Sequence, residues 1–168
     1  RTGLARDERK GFERVLVGVD PPASAGGTCG IVVAGLSGEI GYVLEDASVE
    51  RCSPERWAAA VAEAAERWGA SQVIAEANNG GQMVATVLKG AGVTAPVRLV
   101  HAAEGKVARA APIAALFESG RAKLPGTFPE LEEQLCGLIQ SGGYEGPGRS
   151  PDRADAMVWA LADLLLGK

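Results

Sequence analysis

Two short apolar runs, each ending in a carboxylate, constrain this chain more than any other feature. Residues 14–22 read RVLVGVDPP and residues 72–76 read QVIAE. Val15, Leu16, Val17 and Val19 are apolar without alternation, the pattern of a strand covered on both faces. Pro21 and Pro22 cannot continue a ladder, so Asp20 is left at the strand end rather than in mid-sheet. A carboxylate placed there either accepts backbone hydrogen bonds from the turn 21–27 or faces a cleft that holds metal or substrate, because burying it without compensation is costly. Glu76 repeats the arrangement. If the two strands are adjacent and parallel, both acids stand at the sheet edge where open α/β sheets bind ligands.

The rest of the chain supplies the partners of such a sheet. A glycine-rich turn at 23–28 leads into a strand at 30–35, and Ser37-Gly38 turns the chain into another at 40–46; connections this short make the three strands antiparallel neighbours. Ser53 and Pro54 are placed as N-cap and first residue of a helix. Trp57, Val61, Ala64, Ala65 and Trp68 recur at helical spacing until Gly69 stops it. After the strand at 72–76, a turn at 78–81, a helix at 82–89 and a strand at 97–101 make a parallel crossover. A helix at 106–117, a short extended piece at 120–125 and a helix at 128–141 follow, the last with Leu131, Leu135, Leu138 and Ile139 on its apolar face. A Gly/Pro-rich loop at 142–148 precedes a final helix, 152–166, for which Ser150 is the expected cap. Trp159, with Trp57 and Trp68, sits at core spacing, and His101 reads as structural.

Composition excludes several classes. A net charge of −4 and pI near 5.1 argue against a protein that coats nucleic acid by bulk positive charge. Cys29, Cys52 and Cys136 have no metal-ligand spacing, and one histidine cannot complete a zinc cluster. No apolar run reaches the roughly 20 residues that span a bilayer, so a cytoplasmic protein is expected. The 168 residues fit one domain over 14–168. The polar stretch 1–13 reads as a linker, which suggests a fragment of a longer chain.

Asp152 and Asp155, three residues apart in the first turn of the last helix, share one face. First-turn acids also complement the helix dipole, so neither is diagnostic alone. Acids from two strand ends and one helix start, brought to a single edge, repel unless cations sit between them, and all-oxygen ligands select Mg²⁺ or Mn²⁺. Two such ions, about 3.5–4 Å apart, are a known device for phosphodiester hydrolysis.

These segments, VGVDPP at 17–22, VIAEANNGG at 73–81 and SPDRADAMVWAL at 150–161, resemble the C-terminal nuclease domain of the large terminase subunit, from tailed phages or phage-derived gene transfer agents. The third motif is the most specific of them. The resemblance covers essentially the whole chain and implies a ribonuclease H-like α/β fold: a mixed sheet of three antiparallel strands then parallel strands, flanked by helices. It implies an endonuclease that cuts concatemeric double-stranded DNA with two divalent cations, Mg²⁺ or Mn²⁺. Asp20 would bridge the ions, Glu76 would hold one, and Asp155, directly before the apolar face that seats the helix, would complete the site with Asp152 as neighbour or alternative. Lys106 and Arg109 would lie near the DNA backbone, with Arg121, Lys123 and Arg149 as further phosphate contacts. Partners implied are an N-terminal ATPase domain, for which this sequence offers no phosphate-binding loop, the small terminase subunit and the portal protein, in the bacterial host cytoplasm. Three other readings compete. A junction resolvase or transposase shares the metals, an actin-like kinase fragment shares an Asp followed by Gly-Gly-Thr, and a docking domain without activity shares only the fold.

Overall fold

The computed structural model describes residues 11–78, 81–140 and 150–167. Six strands form one mixed sheet: β1 (Arg14–Asp20), β2 (Gly30–Ser37), β3 (Ile40–Asp46), β4 (Gln72–Glu76), β5 (Val97–Val100) and β6 (Ala122–Lys123), ordered β5-β4-β1-β2-β3-β6. β1, β2 and β3 are antiparallel neighbours, whereas β4 lies parallel to β1 and β5 parallel to β4. The short extended piece near 122 adds the edge strand β6, parallel to β3. The helices are α1 (Pro54–Trp68), α2 (Gln82–Gly90), α3 (Lys106–Glu118), α4 (Pro129–Gln140) and α5 (Asp152–Leu166). The expected loop at 142–148, Asn79-Gly80 in the turn and the side chain of Ile139 lie outside the described residues.

Both faces of the sheet are covered. Val15, Val17, Val19, Val73 and Ala75 pack with Trp57, Val61 and Trp68 of α1 on one side. Leu16, Val32, Val43 and Ile74 pack with Ile113, Leu131, Met157 and Leu161 from α3, α4 and α5 on the other. Side chains alternate faces along a strand, so Asp20 follows Leu16, and Glu76 follows Ile74, onto the α5 side. α1 begins and ends as its sequence foretells: Ser53 accepts from the amide of Arg56, and Gly69 closes the helix at φ 63°, where glycine carries no steric penalty.

α5 lies close to the sheet because glycines make room for it. A Cβ at Gly18 would stand 2.1 Å from the carbonyl oxygen of Ala156, and one at Gly30 would stand 1.9 Å from that of Asp152. On β3, a Cβ at Gly41 would meet Leu165 at 2.9 Å. These three positions sit on neighbouring strands and form a track for the helix. Asp20 and Gly30 are ladder partners, so the start of α5 is seated directly beside Asp20.

The cap of α5 departs from expectation. Ser150 does not cap it; Pro151 occupies the N-cap position and provides no side-chain bond. The cap comes instead from α4, where the buried Gln134 side-chain oxygen accepts from the amides of Arg153 (2.9 Å) and Ala154 (3.2 Å). Gln134→Leu is expected to cost about 1–2 kcal/mol, the range of a lost N-cap that leaves buried amides unpaired. Urea unfolding of the two proteins measures it, and equal midpoints would refute a capping role for Gln134.

Candidate active site

The parallel register of β1 and β4 aligns Val19 with Ala75, which sets Asp20 and Glu76 side by side at one end of the sheet. Together with Asp152 they line an open cavity of about 660 Å³. Glu50, Glu130 and Glu133 also line it, so among the described residues six carboxylates face only Lys106 and Arg153 as charged lining partners. Arg153 is already engaged, to Asp46 at 2.8 Å and Glu50 at 3.1 Å.

Asp20 is 4% exposed, and its Oδ2 has no hydrogen-bond donor among the described residues. Burial holds its carboxyl well above the usual range; hydrogen bonding to Glu76 and the charges of Asp155, Glu76 and Asp152 add to this. With no hydrogen-bond donor among the described residues, that oxygen is orphaned if all the acids are ionised, and a proton on Asp20 shared toward Glu76 relieves it. Burial likewise raises Asp152, against hydrogen bonds from Ser150 and Asp20. The Ser150 hydroxyl donates to Asp152 Oδ1 at 2.9 Å, which is its role in place of the expected cap.

Asp155 is placed differently. It is 1% exposed and does not line the cavity. Its Oδ2 accepts from Lys106 Nζ at 2.7 Å, and its Oδ1 pairs with Arg109 at 3.4 Å. Burial pushes its carboxyl up while these two cations hold it back. Burial alone would lower the Lys106 ammonium, but the hydrogen bond and charge of Asp155 outweigh it and the pKa is raised. The guanidinium of Arg109 also lies 5.0 Å from the ring centroid of Trp159, so the half-buried Trp159 packs against a cation rather than wholly within the core. His101, read as structural, is exposed beside them.

The remaining basic candidates are not gathered here. Lys123 aligns with Tyr42, Tyr42 with Gly35, and Gly35 with Val15. Val15 is five residues before Asp20, so Lys123 lies roughly 16 Å toward the other end of the sheet and three strands across. Arg121, two residues earlier, lies there too. Arg149 is outside the described residues. Sequence reasoning missed Glu50, Glu130, Glu133, Gln134 and Arg153 at the cleft. Only Asp46, a third acid ending a strand, signalled the anchor that Arg153 finds.

Hard divalent cations fit the donor set, since Asp20, Glu76 and Asp152 offer oxygen ligands alone and Asp20 lacks a compensating donor. Among the described residues, no three His, Cys, Asp or Glu side chains are already gathered closely enough to enclose an ion. An ion held there would require these side chains to draw closer together.

A mixed six-stranded sheet of this order, flanked by five helices, is the ribonuclease H-like fold. A family model described as the terminase RNaseH-like domain matches residues 17–164, and the chain belongs to that family. No curated protein matches its sequence. Among solved structures, it is similar to the large terminase nuclease from thermophilic phage G20c at 15% identity, with a TM-score of 0.65 over 89% of this chain and 81% of that one. A form of the same nuclease with bound magnesium matches at 17% identity and TM-score 0.67, covering 89% of this chain and 80% of that chain. A large terminase from another thermophilic bacteriophage matches at 11% identity and TM-score 0.68; the alignment covers 92% of this chain but only 40% of that one.

Proposed function

We propose that this domain is the metal-dependent endonuclease of a DNA-packaging large terminase, cutting concatemeric double-stranded DNA by phosphodiester hydrolysis with two divalent cations, Mg²⁺ or Mn²⁺. One observation carries the reading: Asp20, buried and with its Oδ2 unbonded among the described residues, lies where Glu76 and the first turn of α5 converge. Structures of one neighbouring nuclease, from phage G20c, with bound magnesium, cobalt or zinc support a divalent ion in this one. Asp20, Glu76 and Asp152 would hold the first ion, and Asp155 would join for the second. Such ions supply activation of water and neutralisation of charge at the scissile phosphate. Lys106, which lines the cavity, and Arg109 behind it would steady the phosphate backbone, with Arg121 and Lys123, which lie beyond the cleft, and Arg149 as further contacts.

Residues 14–168 would form the nuclease domain and 1–13 the linker to an ATPase domain, working with the small subunit and portal in the host cytoplasm. The longer phage terminase of which this chain spans 40%, whose structures include complexes with ATP-gamma-S and ADP, supports that arrangement. Among the described residues no helix is long and apolar enough to cross a membrane.

The test is cutting of plasmid DNA and a four-way junction with Mn²⁺, Mg²⁺ or EDTA. Metal-dependent cutting of the plain duplex, stopped by EDTA, is expected. Cutting confined to the junction would make the protein a resolvase, and cutting that persists in chelator would overturn the metal mechanism.

A further inference from the structure

The four acids of the site are not equivalent, and the difference lies in how exposed the cations around them are. Asp20, Glu76 and Asp152 face the open cavity, whereas both oxygens of Asp155 are occupied, one by Lys106 at 2.7 Å and the other by Arg109 at 3.4 Å. Arg109 is fixed. Its side chain is only 10% exposed, its guanidinium lies over Trp159, and it also bonds the carbonyl oxygen of Glu104. Lys106 is the more accessible of the two cations: its side chain is 41% exposed and it lines the cavity. Its ammonium is also shared with Ser150 Oγ at 2.9 Å, and that hydroxyl bonds Asp152 at 2.9 Å. The ammonium thus stands between the acid that faces away from the cavity and the acids that line it.

We propose that Lys106 is a placeholder for the second divalent cation, so that the site loads in a fixed order and the displaced ammonium passes from Asp155 to a phosphate of the substrate. The inference rests on the metal-dependent reading above and adds the sequence of events to it. The first ion enters on Asp20, Glu76 and Asp152 without disturbing the Lys106–Asp155 pair. The second needs an oxygen of Asp155 and must break that pair, which leaves a positive charge close to the incoming ion; separating a buried acid from its partner is costly and weakens this step. A phosphodiester in the cleft gives the released ammonium a new partner. By linkage, DNA then tightens the second ion and the second ion tightens DNA.

Counting bound Mn²⁺ by electron paramagnetic resonance, with calorimetry alongside, tests this on the full chain without relying on cleavage. The wild-type protein is expected to bind two ions with affinities at least about tenfold apart, a factor that corresponds to about 1.4 kcal/mol. Lys106→Gln should tighten the second ion by about tenfold and change the first by less than about twofold, whereas Lys106→Arg, which keeps a cation, should preserve the gap. Because the glutamine variant leaves Asp155 with Arg109 alone and loosens the packing, a second measurement uses wild-type protein: the ¹⁵N resonance of the Lys106 ammonium should stay still through the first equivalent of Mg²⁺ and move with the second. Superimposable two-ion isotherms for wild type and Lys106→Gln, or a resonance that moves with the first equivalent, would overturn the placeholder and leave the two-metal reading intact. Absence of Mn²⁺ binding by both proteins would overturn the two together.

Discussion

Asp20→Asn is expected to lower DNA cutting by a factor on the order of a thousand, because metal stabilisation of the reacting phosphate is worth several kcal/mol and about 4 kcal/mol is that factor. The same substitution should leave the metal-free protein as stable as its parent or more so, since it removes a buried charge among other acids. The comparison has a pH signature. The Asp20 pKa is raised in the folded protein above its value in the unfolded chain, so between the two the folded state holds a proton that the unfolded state has lost. The contribution of Asp20 to stability is therefore complete below the ordinary carboxylate range and is lost as pH rises through the raised folded pKa. Metal-free melting temperatures of wild type minus Asp20→Asn should fall across that window and flatten above it. Mn²⁺ should restore stability to the wild type and do little for the variant. If Asp20 merely held the turn, Asp20→Asn would lose about 1 kcal/mol at neutral pH and keep cutting.

Gly30→Ala is the second substitution with a large expected effect, although it adds a single methyl group. The new carbon would sit 1.9 Å from a backbone oxygen of Asp152, which cannot rotate away, so the start of α5 must lift from the sheet. A loss of about 3 kcal/mol is expected, the upper end of overpacking costs, together with at least about tenfold weaker Mn²⁺ binding, because Asp152 moves with its backbone. Gly35→Ala supplies the contrast. There the added carbon meets only side-chain carbons of Phe12 and Leu44, at 2.9 to 3.0 Å, which can shift and which lie away from the acids. Chemical denaturation and Mn²⁺ titration of both variants check the pair; an unchanged Mn²⁺ affinity in Gly30→Ala would refute the notion that the glycine track positions the site.

The parts of this architecture that the sequence discloses are those with local causes. Asp20 and Glu76 are readable as strand-terminal acids because the runs before them are apolar and the residues after them include Pro21, Pro22 and Asn78. Asp152 and Asp155 are readable because they open a long apolar helix. The face on which Asp20 and Glu76 lie is not, since strands buried on both sides show no alternation from which a face can be deduced. The cap from Gln134 is hidden because its two amides are 19 and 20 residues away and Ser150 offers a plausible local substitute. The pairing of Asp155 with Lys106 spans 49 residues and depends on where α3 docks. Charge alone cannot sort Arg121 and Lys123 from Lys106, because a two-residue strand gives no hint of the register that sends it to the other end of the sheet.

α5 is held along its whole length: Gln134 binds its first amides, the glycines of β1 and β2 admit its backbone, and Asp163 near its far end pairs with Arg14 of β1 at 2.7 Å and Arg98 of β5 at 2.6 Å. A helix riveted in this way has no inexpensive route to partial opening, so its amides are expected to exchange together with those of the central sheet. Beyond the proton that Asp20 retains, the mutual repulsion of the metal-free acids then has no outlet within the helix. It cannot be relieved by fraying the turn that carries Asp152 and Asp155, and is instead borne by the folding equilibrium of the whole domain. Ion binding at one corner thereby becomes a contribution to the integrity of the entire molecule.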